Sequence, residues 1–201
     1  MNMLDEFRQE INKLMKIEGE VRGVALKTDG EYILREKGEE GLGELEKKLE
    51  AMGCPIRYRE IKTMDFYPIG LRVISLLAIK EIFGFSNEKI KEMGFDAPKV
   101  SLIIKLFAKY FVAVSKAAEK APLIWKKHYT KGELSAVEVN EKEKRIVLRV
   151  EGLDVHPVFC QYLAGYLGSI TQMVIAVPVT ISETKCSFSG AHYHEYLLTW
   201  Q

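Results

Sequence analysis

The sequence carries no excess of either charge: 29 Lys and Arg stand against 28 Asp and Glu, a formal net charge of +1. Interleaved this evenly, the charges offer no general attraction for nucleic acid or an anionic membrane, and no nucleic-acid partner is expected. Cysteine is scarce, at three residues. An odd and small number excludes a disulfide framework and leaves metal binding or simple burial. Long apolar runs are missing as well. Arg72 and Lys80 bracket the most apolar helix and Pro178 interrupts the most apolar strand, so no membrane span is expected. Near the start, Asp5, Glu6 and Glu10 stand where a secretory signal shows basic residues and then an apolar stretch, and the expected location is the cytoplasm. No G-x-G-x-x-G follows a strand and no Walker-type loop is found, so no nucleotide cofactor is expected. Gly38, Gly41 and Gly43 head an acidic helix whose glutamates repel phosphate. No Ser or Cys occupies a nucleophile elbow.

What is present reads as a globular α+β chain, an antiparallel sheet packed against several helices. Residues 1–64 form a small N-terminal α+β region. They comprise a helix over 4–17, a hairpin of strands 21–28 and 31–35 turning at Asp29-Gly30, and a helix over 39–52 stopped by Gly53. Residues 65–201 form the main domain. The spacing predicts a very apolar helix over 69–83, a helix over 87–93 capped by Ser86 and closed by Gly94, and another beginning at Pro98. That last helix carries an apolar stripe through Val100, Ile103, Ile104, Phe107, Phe111 and Val112. These two helices have helix-turn-helix lengths, but the second is too apolar to read DNA. A hairpin over 133–139 and 145–151, a helix from Pro157 to about Met173, and strands over 174–183 and 192–200 complete the chain.

Chemistry gathers near the end. Cys160, Glu183, Cys186 and His194 follow the pattern C-x22-E-x2-C-x7-H. Each is a side chain that zinc accepts, and four is the number a closed tetrahedral site requires. Glu183 and Cys186 lie at a strand end, His194 returns on the next strand, and Cys160 sits early in the preceding helix. His192 competes with His194, two residues away on one strand face. The bland alternative is that these cysteines serve as small buried hydrophobes.

His156-Pro-Val-Phe-Cys160, Gly165-Tyr-Leu-Gly168, Glu183-Thr-Lys-Cys186, Gly190-Ala-His-Tyr-His-Glu195 and Leu198-Thr-Trp200 together resemble the vinyl-4-reductase domain family. Its superfamily is shared with haem nitric-oxide-binding sensors and the small subunits of the Golgi transport-particle complex. The resemblance is strongest over 155–201 and reaches back to about residue 65 through Tyr67-Pro-Ile-Gly70, Gly84 and Trp125. It implies the ligand-binding fold of nitric-oxide signalling and Golgi transport, with zinc on Cys160, Glu183 and Cys186 beside an aromatic effector pocket. The chain departs from the family at His194, where another Cys is usual, and at Ala191, where Asp is frequent. Zinc accepts the His.

Tyr67, Trp125, His128, Tyr129, Phe159, Tyr162 and Tyr166 are the expected pocket residues, with Phe66 and His156 nearby. Aromatic walls with a few polar tips suit a small hydrophobic or aromatic ligand. The same residues also suit a plain core. Four closed ligands leave no open coordination position, so a zinc-stabilised binding or sensing module is expected rather than an enzyme. It is expected to be a homodimer with a possible protein partner. Two alternatives remain: a reductase or auxiliary factor for a tetrapyrrole-like substrate, and a dimeric interaction scaffold.

Overall fold

Alternation decides the C-terminal half. In Arg145–Glu151 and Tyr193–Trp200 every second side chain is buried (Ile146, Leu148 and Val150; His194, Tyr196 and Leu198), so each segment is a strand with one core face. In the computed structural model, which describes residues 3–100 and 113–201, these two strands lie at the centre of a four-stranded antiparallel sheet. Its strands are β3 (Glu133–Asn140), β4 (Arg145–Glu151), β5 (Val179–Lys185) and β6 (Tyr193–Trp200), in the order β3-β4-β6-β5. A short ribbon pairs β1 (Glu20–Arg22) with β2 (Phe66–Pro68), and Val21 also bridges to Tyr129. The described helices are α1 (Met3–Leu14), α2 (Gly23–Ala51), α3 (Ile69–Ile82), α4 (Asn87–Val100), α5 (Val114–His128) and α6 (Pro157–Ile175).

The antiparallel α+β expectation holds, and α3, β3, β4 and β6 fall close to where the periodicity places them. The first helix, the one starting at Asn87 and the one starting at Pro157 do too, apart from their ends.

The hairpin expected over residues 21–35 does not form. Beyond β1 the chain is helical instead: α2 is two helical stretches joined at a non-helical kink at Gly38 (φ 70°, ψ −170°), and the second, ending at Ala51, is the helix expected over 39–52. Leu26, Asp29, Gly30 and Ile33 are all buried, an i, i+3, i+4, i+7 set. Asp29-Gly30 is a strong turn signal in isolation, yet here both residues serve tertiary contacts. Asp29 pairs with Arg72, and a Cβ at Gly30 would lie 2.5 Å from the Tyr58 Cβ. Gly94 does not close its helix either. α4 runs through Gly94 and Pro98, because the bare glycine admits the Tyr162 carbonyl of α6. The rest of the stripe expected over Ile103–Val112 lies outside the described residues.

Ser86 caps α4 as expected, accepting from the Lys89 N–H at 3.2 Å. α6 is buried on nearly every face, between α4 and the sheet. It is long and apolar enough to cross a membrane, which corrects the expectation that no stretch is; most of it is buried inside the domain.

Candidate metal centre and ligand cavity

Three local rules bring Cys160, Glu183, Cys186 and His194 to one corner. Pro157 starts α6 and the His156 side chain accepts the Val158 N–H at 3.1 Å, so Cys160 stands at the end of the first helical turn. Strand alternation puts Glu183 on the face of Val179 and Ile181, and His194 on the face of Tyr196 and Leu198. A bulge between Glu183 and Lys185 then shifts the register, and Cys186 begins a single 3-10 turn, Ser187–Ser189. Gly190 follows with φ 93°, a left-handed conformation that closes the turn toward β6.

Their ligating atoms all lie within 4.8 Å of one another. Cys160 Sγ is 3.9 Å from Cys186 Sγ and 3.6 Å from His194 Nδ1, which is 3.0 Å from Glu183 Oε1. A tetrahedral ion with bonds of about 2.0–2.3 Å has edges of roughly 3.3–3.8 Å between its ligands. The corner therefore has the dimensions of a four-ligand site. Ser187 Oγ lies 2.9 Å from His194 Nε2, so one imidazole nitrogen faces the cluster and the other is held from behind. Burial, with the charges of Glu183 and Cys186 beside it, pushes the Cys160 thiol far up. An ion entering here would displace that proton. His192 is exposed ahead of β6, and so does not compete with buried His194.

The second feature is an apolar cavity of about 80 Å³ between α5, α6, β3 and β4. Trp125, His128, Tyr129 and Tyr166 line it, four of the residues expected from the sequence. Tyr162 joins His128, Tyr129 and Tyr166 around an adjoining void of about 20 Å³. Phe159 is packed between Tyr129 and Tyr162 with 1% exposure, and Tyr67 lies on β2, where its hydroxyl accepts the Lys62 N–H at 3.0 Å. Neither lines a described cavity. The small residues Ala117, Ala118 and Ala121 escape a search for aromatics, although their 1, 2, 5 spacing marks one face of α5 and makes the room. Trp125 is fixed by its indole N–H, which donates to the Gly132 carbonyl at 2.9 Å.

No family model matches the chain and no curated relative does. Solved structures do. An H-NOX protein from S. oneidensis in the Fe(II)NO ligation state aligns over 90% of this chain and 99% of its own, with a TM-score of 0.67 and 16% identity. A single-site mutant of the unliganded Fe(II) H-NOX protein from K. algicida gives 90% and 96%, TM-score 0.66 and 10% identity. A single-site mutant of the T. Tengcongensis H-NOX gives 90% and 97%, TM-score 0.64 and 15% identity. At these identities the likeness establishes the fold. It is that of the H-NOX domain; the vinyl-4-reductase family itself is not matched.

The comparisons correct the expected cofactor. These neighbours are described by Fe(II) ligation states, and one by heme distortion, so the fold points to haem where the sequence pointed to zinc. A haem seat needs an axial donor, a slot for the macrocycle and cations for its two carboxylates. Among the described residues the cavity supplies one imidazole, His128, whose Nδ1 is 3.0 Å from the Ile124 carbonyl oxygen. It supplies no Lys or Arg, and about 80 Å³ is far below the several hundred of a cofactor pocket. The described lining of this cavity does not fit haem.

Proposed function

We propose that this chain is a non-catalytic binding module whose cavity under α5 and α6 takes a small apolar or aromatic molecule. In this reading the Cys160–Glu183–Cys186–His194 corner holds a metal ion that ties α6 to the β5–β6 hairpin. One observation carries the reading: α6 serves both features, with Cys160 at its start and Tyr166, Leu167, Ile170 and Thr171 in the cavity wall. An ion at the corner would set the position of the helix that shapes the cavity. The H-NOX neighbours, one of them described in a nitric-oxide-ligated state, support a sensing role over a catalytic one.

Two measurements test it. Calorimetric titration with toluene and indole is expected to show saturable binding to the wild type. Ala121→Phe, which fills the cavity, should weaken that binding by at least about tenfold while the protein stays folded. Plasma mass spectrometry for all first-row metals, on untagged protein prepared without chelator, is expected to find about one ion per chain. Cys186→Ser and His194→Ala should remove it, and Ser187→Ala should weaken it by about 10–100-fold. Metal-free wild type together with an empty cavity in the titrations would sink the proposal.

A further inference from the structure

Arg72 on α3 is 0% exposed, and its Nη2 lies 3.1 Å from Asp29 Oδ1. Beyond that ion pair and a polar interaction with the Tyr162 hydroxyl, its three guanidinium nitrogens have no well-aligned hydrogen-bond partner among the described residues. Buried charged donors left in this way are costly, and native interiors provide an acceptor for them. Its guanidinium carbon sits 4.4 Å from the centre of the Tyr162 ring. Tyr162 in turn lines the smaller void with Thr28, Tyr129, Tyr166 and His128, and three of these residues also line the apolar cavity. Arg72 thus stands one side chain behind the polar end of a cavity that is otherwise apolar.

Three phenols dominate that end, while Thr28 gives its hydroxyl proton to the Ala25 carbonyl at 2.7 Å and the His128 Nδ1 lies 3.0 Å from the Ile124 carbonyl. Burial raises the phenols of Tyr129, Tyr162 and Tyr166, with Arg72 opposing it at each, so all three stay protonated and can donate. Burial also lowers His128, which stays neutral. Neither void is lined by Asp, Glu, Lys or Arg among the described residues. Asp29 pairs with Arg72 and accepts the Ser75 hydroxyl at 2.9 Å, while Ser75 meets the Tyr58 hydroxyl at 2.8 Å; its carboxylate offsets part of the guanidinium charge, but at Tyr129 and Tyr162 the pull of Arg72 is the larger of the two. Hydroxyl donors backed by a fixed cation suit an oxyanion, repel an ammonium group, and stay unmet against a hydrocarbon.

We infer that the occupant of the cavity is a small monocarboxylate, with its apolar body against Ala117, Ala121, Leu134 and Ile170 and its carboxylate on the tyrosine end in front of Arg72. The inference rests on the cavity being a ligand site, as proposed above. The volume limits the body to one ring or a short acyl chain.

Isothermal titration of the full chain with benzoate, hexanoate, benzamide and toluene decides it. Benzoate or hexanoate should bind at least about tenfold more tightly than the two uncharged probes, and which acid wins tells an aryl body from an acyl one. That advantage should shrink to about twofold in the Asp29→Leu/Arg72→Met double variant, with circular dichroism confirming the fold, and should fall several-fold in Tyr162→Phe. If the double variant does not fold, Tyr162→Phe alone decides. Equal binding of benzoate, benzamide and toluene would overturn the carboxylate end and leave the cavity reading intact. A carboxylate preference that survives both variants would overturn the role of Arg72. Binding of no probe would overturn both the inference and the reading beneath it.

Discussion

Gly165→Ala is expected to cost more than about 3 kcal/mol, or to prevent folding. A Cβ at Gly165 would overlap the Lys91 carbonyl oxygen and lie 2.7 Å from the Phe95 nitrogen. Both are backbone atoms of α4, so no side chain can swing aside. The contact is reciprocal, since a Cβ at Gly94 would overlap the Tyr162 carbonyl oxygen. The two helices approach backbone to backbone, and one methyl group forces them apart along a buried crossing. For a chain of this size the melting temperature should fall by about 6–12 °C or more. Gly43→Ala is the control. It is exposed on α2 with nothing within 4 Å of the new methyl, and should gain about 0.5–1 kcal/mol. If the two substitutions proved equally tolerated in urea unfolding, the α4–α6 crossing would be wrong.

Removing one member of the Asp29–Arg72 pair should cost about 3–5 kcal/mol, whereas Asp29→Leu/Arg72→Met together should cost far less. Both side chains are 0% exposed, so each single change strands an uncompensated group in the core. Replacing both removes the desolvation cost along with the attraction. A double-mutant cycle by urea unfolding measures the coupling, and additive single effects would refute it.

The same pair predicts a pH dependence. Burial pushes the Asp29 carboxyl up to about 6 from 3.8, against the opposing pull of Arg72 and Ser75. A carboxyl raised in the folded state keeps a proton that the unfolded chain has already released. Its contribution is therefore complete below the unfolded value and is lost as pH rises through about 6. Stability should fall by about 3 kcal/mol across that window. The double variant should lack this slope, read as urea midpoints at pH 4, 5, 6 and 7.

Much of the C-terminal half was legible because its signals are local. Burial at every second residue of β4 and β6 needs no distant partner to be recognised, and Pro157 behind a capping His156 starts a helix on its own terms. The convergence of the four donors was legible for the same reason. Spacing put Glu183 and Cys186 at a strand end and His194 on the next strand, so a hairpin alone brings three of them together.

The N-terminal misreading has the opposite cause. Asp29-Gly30 reads as a turn within four residues, but its conformation is decided by Arg72, 43 positions away on α3, and by Tyr58 in the connecting loop. Gly94 reads as a helix stop until α6 lies across it. The cavity was half legible. Its aromatics stand out by type, while the alanines that create the space are conspicuous only once α5 is seen to lie over the sheet.

By itself, the sequence determined which segments are amphipathic, where the last strand runs and which side chains are able to ligate a metal, since all of these depend on residue type and short periods; the strand before it begins at Val179 and not at 174, because α6 continues to Ile175. Only the tertiary structure decided that residues 23–37 are helical and not a hairpin, that a charged pair lies in the core beneath a tyrosine cluster, and that α6 joins the four-donor corner to the cavity. Those outcomes depend on contacts between residues distant in sequence, whose burial energies exceed the local preferences they override.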